Sequence, residues 1–250
     1  MTDVPARAPL GAFLARNPFP HGFTDGLFYR EKMRAIHRVS PARIGDGKRL
    51  RILEIGGGRS GMAGMLYPDA EIVNLDIDPA LADDAANRDI TFVVGDARDL
   101  PFPDDSFDVV TLLDVLEHIQ DDQIAAREAA RVARPGGTIL VSCPDADWRY
   151  PHHGFMRAVA RDEAELMAEW GHVRRGYTPD AVAALFGRPA DRRAAFIGPL
   201  AAIYHDLAFS RLGRLGRTIG YAATAPLALV GYLTDRGAGK GSETAYAWDV

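Results

Sequence analysis

The glycine-rich stretch at residues 50–64, LRILEIGGGRSGMAG, constrains the fold of this 250-residue chain more than any other segment. Its first six residues are mostly apolar, which is typical of a strand buried in a parallel sheet. A G-x-G-x-x-G spacing begins at Gly56, and the helix-like run that follows it ends at Pro68. Glycines let the backbone bend sharply and approach a ligand, and the start of a helix offers free N–H groups. The stretch therefore predicts a strand, a glycine turn and a helix that bind a nucleotide-type ligand.

Further apolar segments of strand length follow the glycine turn, separated by turns or by segments with helical periodicity. They lie at residues 71–76, 90–94, 107–113, 138–143, 194–197 and 244–250. Strands that alternate with helices are joined by right-handed crossovers and form a parallel sheet. The sequence thus predicts an α/β fold: a Rossmann-like, doubly wound, mostly parallel sheet of seven strands, with helices on both faces.

The segments outside this core predict additional elements. Residues 1–26 are rich in proline and glycine, which indicates an extended arm. Residues 28–39 have apolar side chains at roughly helical spacing and predict a helix that covers the ligand. Another helix is predicted over 155–170, and Thr178 is a good N-cap for a helix that begins at the following proline.

These elements suggest a division of the chain into two parts. Residues 1–47 form an N-terminal arm and lid helix. Residues 48–250 form the binding domain, with acceptor-binding insertions around residues 144–235.

Composition excludes several classes of protein. The net charge of -5 argues against nucleic acid as the main partner. The single cysteine, Cys143, excludes an intramolecular disulfide and a cysteine-based metal site, and we expect no metal. The N-terminus lacks the apolar run of a secretory signal, so the expected location is cytoplasmic.

The longest apolar stretch, at residues 219–233, is shorter than the ~20 residues that span a bilayer. Together with Arg211, Arg214 and Arg217, it fits a helix that lies on an anionic membrane surface. A helix packed on the domain, or a contact in a homodimer, is the favoured alternative.

Carboxylates follow three of the predicted strands directly. In an open parallel sheet, ligands bind beyond the carboxyl ends of the strands, where Asp76, Asp96 and Asp114 lie. A carboxylate at such a place can accept hydrogen bonds from both hydroxyls of a ribose, and Asp76 is placed for that role. The alternative is that the aspartate caps the next helix, which better describes Asp78.

Taken together, these segments resemble the class I S-adenosylmethionine (SAM)-dependent methyltransferases, in particular those of type 11. ILEIGGGRSG resembles motif I, which holds the methionine part of the cofactor, and NLDID resembles motif II, whose acidic residue binds the ribose. GDARDLPFPDDSFDVV resembles the segment beside the adenine. LLDVLEHI and RVARPGGTILVSCP resemble the motifs around the fourth and fifth strands. The resemblance covers residues 49–144 and implies SAM as the cofactor.

The resemblance also implies a set of cofactor-binding residues. They are Glu54, Gly56, Gly57, Gly58, Asp76, Ile77, Asp96, Ala97 and Asp114. Within this set, Asp76 should hold the ribose hydroxyls, Asp96 should border the adenine and Asp114 should lie near the sulfonium.

Methyl transfer requires an acceptor in line with the methyl group and, for an oxygen acceptor, the removal of a proton. Histidine suits that task near neutral pH. The candidate bases are His152 and His153, in the loop after the fifth strand, and His118, which in this family is more often structural. The alternative for each is an ordinary surface or core histidine. The candidate acceptor-binding residues, which lie outside the core, are Tyr29, Arg30, Trp148, His172, Arg175 and Tyr177.

The sequence therefore predicts a SAM-dependent methyltransferase that acts on a small-molecule acceptor by O- or N-methylation. The acceptor could be a natural product, a sugar or a lipid-linked molecule. One alternative is a non-catalytic SAM-binding regulator or partner subunit, which would carry the same cofactor motifs. The other is an NAD-dependent oxidoreductase, which shares the glycine turn and Asp76 but does not explain GDARDLPFPDDSFDVV or the lack of a Tyr-x-x-x-Lys pair.

Overall fold

The computed structural model describes residues 6–19, 23–43, 49–237 and 239–250. Its strands are β1 (Arg51–Ile55), β2 (Glu71–Asp76), β3 (Thr91–Val94), β4 (Phe107–Leu113), β5 (Ala133–Pro144), β6 (Arg192–Phe196) and β7 (Glu243–Asp249). Its α-helices are α1 (Leu10–Ala15), α2 (Phe23–Val39), α3 (Met62–Leu66), α4 (Asp122–Val132), α5 (Glu163–Trp170), α6 (Pro179–Leu185), α7 (Ala202–Ala208) and α8 (Arg214–Thr234).

The strands form one seven-stranded sheet in the order β3-β2-β1-β4-β5-β7-β6. Neighbouring strands from β3 to β5 are parallel, whereas β7 is antiparallel to both β5 and β6. The prediction of a doubly wound, mostly parallel sheet of seven strands is confirmed. The order reverses between β1 and β4, and ligands bind beside such a switch point at the carboxyl ends of the strands.

Each face of the sheet carries its own hydrophobic core. One core includes Phe13, Met33 and Ile36 and packs helices α1, α2 and α3 against the sheet. The other core includes Val132 and Val182 and packs α4 and α6 against the opposite face. The fold therefore has three layers, and the edge where the parallel strands end stays accessible to ligands.

The N-terminal arm is partly a helix, so the prediction of an extended segment over residues 1–26 is wrong for its described part. Pro9 precedes α1, and Phe13 is fully buried in the core. The N–H of Ala8 donates to the carbonyl of Leu66 at 2.7 Å. Burial of Phe13 outweighs the local proline and glycine signals that favour a loop. Residues 1–5 and 20–22 of that arm lie outside the described residues.

The predicted helix over residues 155–170 is interrupted. A 3-10 helix covers Gly154–Val159, and α5 begins only at Glu163. The Asp162 side chain accepts from the N–H groups of Ala164 and Glu165, so it caps α5 and fixes the break. The Thr178 cap of α6 is confirmed, since its hydroxyl accepts from the Ala181 N–H at 3.2 Å.

Helix α8 contains Pro226 and exposes several apolar side chains, among them Leu215 and Leu233. Within the described ranges, no helix is both long and apolar enough to cross a membrane. Contact of α8 with a membrane surface or with a second copy of the chain stays a prediction.

Candidate functional site: a cofactor cleft beside an acceptor cavity

The turn after β1 has a shape that only glycine accommodates at its first position. Gly56 has a φ of 65°, and a Cβ there would come within 2.7 Å of the Val115 side chain. Its N–H donates to the carbonyl of Leu75 at 2.7 Å, which continues the pairing of β1 with β2. The backbone can therefore turn beside the strand ends without a side chain filling the space in front of them.

A cleft of about 520 Å3 lies in front of this turn, beyond the ends of β1, β2 and β4. Its lining includes six of the predicted cofactor residues, namely Gly56, Asp76, Ile77, Asp96, Ala97 and Asp114. The Ile77 side chain is 71% exposed and forms an apolar surface in the cleft. The structure thus brings carboxylates and an apolar surface together, as a ribose and an aromatic base would require.

Asp76 is held in place by backbone donors. One of its carboxylate oxygens accepts from the Gly58 N–H at 3.2 Å, and the other accepts from the Asp78 N–H at 3.1 Å. Each carboxylate oxygen has a second lone pair, so the side chain keeps acceptor capacity for two hydroxyl groups. Asp78 accepts from the Ala80 N–H at 2.9 Å and caps a 3-10 helix, as the sequence suggests.

Asp96 also lines the cleft, and its carboxylate is paired with an arginine. The Arg98 guanidinium donates to both of its carboxylate oxygens, with the shortest contact at 2.7 Å. These hydrogen bonds hold the pKa of Asp96 below its usual value. Arg98 also contacts Asp121 at 3.1 Å, so this end of the cleft is a small ionic network.

The other three predicted cofactor residues support the turn and do not line the cleft. Glu54 is buried, and its carboxylate accepts from the Ala63 N–H at 3.0 Å. Burial raises the pKa of Glu54 to about 7. The Gly57 N–H donates to the Asn74 side chain at 3.1 Å, and Gly58 donates to Asp76. These contacts fix the backbone of the turn from behind.

Asp114 lies where the cleft meets a second cavity. It follows β4 with a φ of 57°, and the Ser142 hydroxyl donates to its carboxylate at 2.5 Å. Its other oxygen pairs with the ammonium of Lys32, which is buried in α2. Burial opposes the charge on Lys32, but the carboxylates of Asp114 and Glu243 outweigh it and raise the pKa of Lys32.

The sequence interpretation missed Lys32, although a signal for it exists. Phe28, Lys32 and Ile36 are spaced by four residues and therefore share one face of α2. That face is otherwise apolar and packs inward. A lysine at such a position indicates a buried carboxylate on another element.

The second cavity, called the acceptor cavity below, has a volume of about 320 Å3. It is lined by Phe28, Tyr29, Asp114, Glu117, His118, Pro144, Trp148, Met167, Trp170, His172, Arg175, His205, Phe209, Ser242 and Glu243. Asp114 and His118 line both this cavity and the cleft. Two molecules bound in the two spaces would meet at these residues.

Buried ionisable groups cluster in one wall of the acceptor cavity. Burial and the neighbouring Asp114 carboxylate raise the pKa of Glu117 to about 8. Burial also raises the pKa of Glu243 well above its usual value. His172 is affected in the opposite direction, since burial and the nearby His118 lower its pKa to about 4. Glu243 begins β7, whose antiparallel direction brings its first residue to the carboxyl edge of the sheet.

An apolar cavity of about 280 Å3 continues from the acceptor cavity. Phe28, Tyr29, His205 and Phe209 line both. The remaining lining residues are mostly apolar, with Glu31 as the exception, and they come from α2, from α7 and from the segments that precede these two helices. The two spaces together offer a polar part beside the cleft and an apolar part farther from it.

The structure places four of the six predicted acceptor residues, Tyr29, Trp148, His172 and Arg175, in the lining of the acceptor cavity. The other two are turned away. Arg30 is exposed and donates to the Leu14 carbonyl at 3.1 Å. The Tyr177 hydroxyl lies 2.8 Å from the Asp122 carboxylate and 2.9 Å from the Leu116 carbonyl, where it ties a turn to the core.

Of the three predicted bases, only His118 lines a cavity of this site. The N–H groups of His152 and His153 donate to the buried carboxylate of Asp206 at 2.7 and 2.8 Å. The His153 ring contacts the same carboxylate at 2.8 Å. Neither ring lines the cleft or the acceptor cavity. These two residues instead anchor the loop after β5 to α7.

Comparisons with known proteins agree with this architecture. Residues 53–141 match the model of the Methyltransf_11 family, described as a methyltransferase domain. The chain is 30% identical over 187 residues to a ubiquinone/menaquinone biosynthesis C-methyltransferase UbiE of Methylobacterium nodulans, which covers 65% of this chain and 72% of that protein. It is 35% identical over 140 residues to a demethylmenaquinone methyltransferase of Renibacterium salmoninarum, with 54% of this chain and 57% of that protein covered.

The chain spans about half the length of the first curated relatives that it matches. Among solved structures, a SAM-dependent methyltransferase from Mesorhizobium loti aligns with a TM-score of 0.55. The alignment covers 88% of this chain and 98% of that chain, at 18% identity. This likeness shows a shared fold.

Proposed function

The chain belongs to the class I SAM-dependent methyltransferases, and on that premise we propose that it transfers the methyl group of SAM to a small-molecule acceptor. The observation that carries the proposal is the shared boundary of two cavities. Asp114 and His118 line both the cleft at the strand ends and the neighbouring acceptor cavity. Such an arrangement brings a donor and an acceptor into contact while it keeps their binding sites separate.

The residues present in the cleft fit SAM. Gly56 leaves the space in front of the turn empty, Asp76 keeps lone pairs for the ribose hydroxyls, and Ile77 offers an apolar surface to the adenine. SAM supplies a methyl group on a positively charged sulfur, which makes that carbon electrophilic. The Asp114 carboxylate lies where the cleft meets the acceptor cavity, so it would lie beside the charged sulfur.

The chain itself has three tasks in this reaction. Asp76 and the glycine turn hold the cofactor, with Glu54 fixing the turn from behind. Asp114, held by Lys32 and Ser142, orients the charged end of the cofactor toward the acceptor cavity. Aromatic side chains of the cavity exclude water and align the acceptor.

We infer that the acceptor is a small molecule with a polar reacting end and an apolar body. The polar wall lies beside the cleft, and the apolar cavity continues away from it. Relatives are named as methyltransferases of demethylmenaquinone and of ubiquinone and menaquinone biosynthesis. A quinol with an apolar tail has this shape, so we propose it as the first acceptor to test.

We further propose that α2 serves as the cover of the acceptor cavity, although it is not a removable lid. Its residues Phe28 and Tyr29 line the cavity, while Met33 and Ile36 are fully buried in the core. Deletion of residues 1–39 would expose that core, so substitutions at the cavity are the better test of this role.

Transfer of a labelled methyl group tests the proposed function. The chain is incubated with SAM that carries a radioactive methyl group and with demethylmenaquinol, and the label is followed into the organic phase. A quinol that becomes labelled, and does so much more slowly with Asp76→Ala, supports the proposal. SAM binding without label transfer to this quinol or to any extract fraction would favour the non-catalytic regulator instead.

A further inference from the structure

Three potential metal ligands converge where the acceptor cavity meets the cleft. Glu117 and His118 lie on a short 3-10 helix after β4, and His172 lies in the turn after α5. Ligand atoms of the three side chains all lie within 4.8 Å of one another. All three residues line the acceptor cavity, and His118 lines the cleft as well.

The polar atoms of this cluster lack the partners that burial normally requires. Glu117 is 1% exposed, and neither of its carboxylate oxygens has a hydrogen-bond partner on another described residue. The Nδ1 atom of His172 is likewise buried without a partner in the described part of the chain. Buried polar groups without partners are costly, and a cation between these atoms would remove that cost.

His118 is already oriented for metal binding. Its Nδ1 lies 3.2 Å from the carbonyl of Gly171. A carbonyl only accepts, so Nδ1 carries the proton and Nε2 keeps its lone pair. Histidine ligands of metals usually donate their other ring N–H to a carbonyl or carboxylate in this way.

The backbone around the cluster is rigidly fixed. The Val173 N–H donates to the Glu117 carbonyl at 3.0 Å, and the Arg174 guanidinium donates to the carbonyls of Leu116 and Ile119 at 2.7 and 2.6 Å. Gly171 ends α5 with a φ of 73° and turns the chain toward these contacts. The two segments that carry the ligands therefore form one unit.

We propose that Glu117, His118 and His172 bind a divalent transition-metal ion of the zinc class. Two imidazoles and one carboxylate are typical ligands of such an ion, and three protein ligands leave a position open for another molecule. Ligands at about 2.1 Å from zinc are roughly 3.5 Å apart, so small side-chain rotations close the site.

Because all three ligands line the acceptor cavity, an open position on the ion would be accessible to a hydroxyl oxygen of the acceptor. This role rests on the proposed function, whereas ion binding itself does not. The ion lowers the pKa of a bound hydroxyl, which then releases its proton to water. With the quinol proposed above, the oxyanion would donate electrons into its ring, and a ring carbon would form the bond to the methyl carbon as the carbon–sulfur bond breaks. The electron pair of the broken bond would stay on sulfur, and the proton of that ring carbon would move to the oxygen, so the products would be a C-methylated quinol and a neutral thioether.

Zinc titration of the metal-free, untagged chain tests the site, with a coloured chelator as the competitor. We expect one equivalent of Zn2+ per chain. Glu117→Gln and His172→Ala should each weaken Zn2+ binding by at least ~10-fold, because each removes a ligand. His152→Ala is the matched control, since it removes a histidine outside the cluster, and it should leave Zn2+ affinity unchanged.

SAM titration of the same proteins by calorimetry separates the two proposals. The variants should bind SAM within a few-fold of the original chain, which also shows that they are folded. SAM binding without Zn2+ binding would overturn the metal site and leave the proposed function intact. Equal Zn2+ binding by the original chain and by His172→Ala would assign the ion to other histidines and overturn the site as well. Zn2+ binding without SAM binding would instead contradict the proposed function.

Discussion

The cofactor cleft and the acceptor cavity share a boundary, but the chain builds them in different ways. Nearly all of the cleft lining lies between residues 55 and 120, at the ends of neighbouring parallel strands. The lining of the acceptor cavity comes from segments as far apart as Phe28 and Glu243. The sheet topology positions the first site directly, whereas the second depends on how helices and loops pack around it. We therefore expect substitutions in the two regions to have separable effects.

The largest effect is expected from substitution of Lys32, because its partner Asp114 lies where the two regions meet. Its ammonium reaches from α2 to the Asp114 carboxylate and is almost completely buried. Lys32→Met should lower the free energy of unfolding by roughly 3 kcal/mol, because it leaves a carboxylate without its cation. Urea denaturation measures this change. The double variant with Asp114→Asn should recover much of the loss, and an equal loss in the double variant would show that the ion pair is not its cause.

Asp76→Ala should affect the cofactor region alone. Loss of the hydrogen bonds to the ribose should weaken SAM binding by ~1–3 kcal/mol in a calorimetric titration. Asp78→Ala is the matched control, because that carboxylate caps a 3-10 helix and does not line the cleft. If both variants bind SAM equally well, Asp76 does not hold the ribose.

Substitution of Glu31 tests whether a group in the acceptor region makes the stability of the fold depend on pH without changing SAM binding. Burial and the nearby Asp235 raise the pKa of Glu31 to about 7. The pKa of the folded state therefore exceeds the unfolded value, so this group destabilises the fold as pH rises from about 4.5 to 7. Glu31→Gln should be more stable than the original chain by about 1–2 kcal/mol at pH 8, with little difference at pH 4.5.

Thermal or urea denaturation at both pH values checks this prediction for Glu31→Gln. SAM affinity should stay the same, since Glu31 lines the apolar cavity and not the cleft. A stability gain that is equal at the two pH values would show that ionisation of Glu31 is not its origin.

Phe28→Ala should give the most selective effect on the acceptor region. Phe28 lines both the acceptor cavity and its apolar continuation. Loss of its ring should reduce kcat/KM for an apolar acceptor roughly 10-fold, through about 1–2 kcal/mol of lost apolar contact. Steady-state kinetics with a fixed, saturating SAM concentration measures the change. A matching loss of SAM affinity would show that the two regions are not separable.

The same contrast explains how far the sequence could predict the molecule. The strands of the sheet and the carboxylates that follow them could be predicted, because each strand is an apolar run and each carboxylate comes directly after one in the sequence. In a parallel sheet, ligands bind at these strand ends. The helix at Leu10–Ala15 could not, since its position depends on burial of Phe13 in a core built from distant segments. Arg30 and Tyr177 show the same limit in the acceptor region, because tertiary packing decides which way a polar side chain points.

The sequence interpretation also did not identify the charged residues that are buried at the site. Glu243 reaches the site only because β7 runs antiparallel, and a short strand gives no local sign of its direction. Lys32 was within reach of the sequence, because its spacing from Phe28 and Ile36 places a charge on the inward face of α2. A charged residue on an apolar helical face therefore predicts a buried partner of opposite charge on another element.

Calorimetric titration of the chain with SAM, and separately with NAD, tests the central claim most directly. The cleft, with its glycine turn, Asp76, Ile77 and Asp96, should bind one SAM per chain and give no heat with NAD. Heat from NAD and none from SAM would contradict the account, because the same strand ends would then serve a dinucleotide.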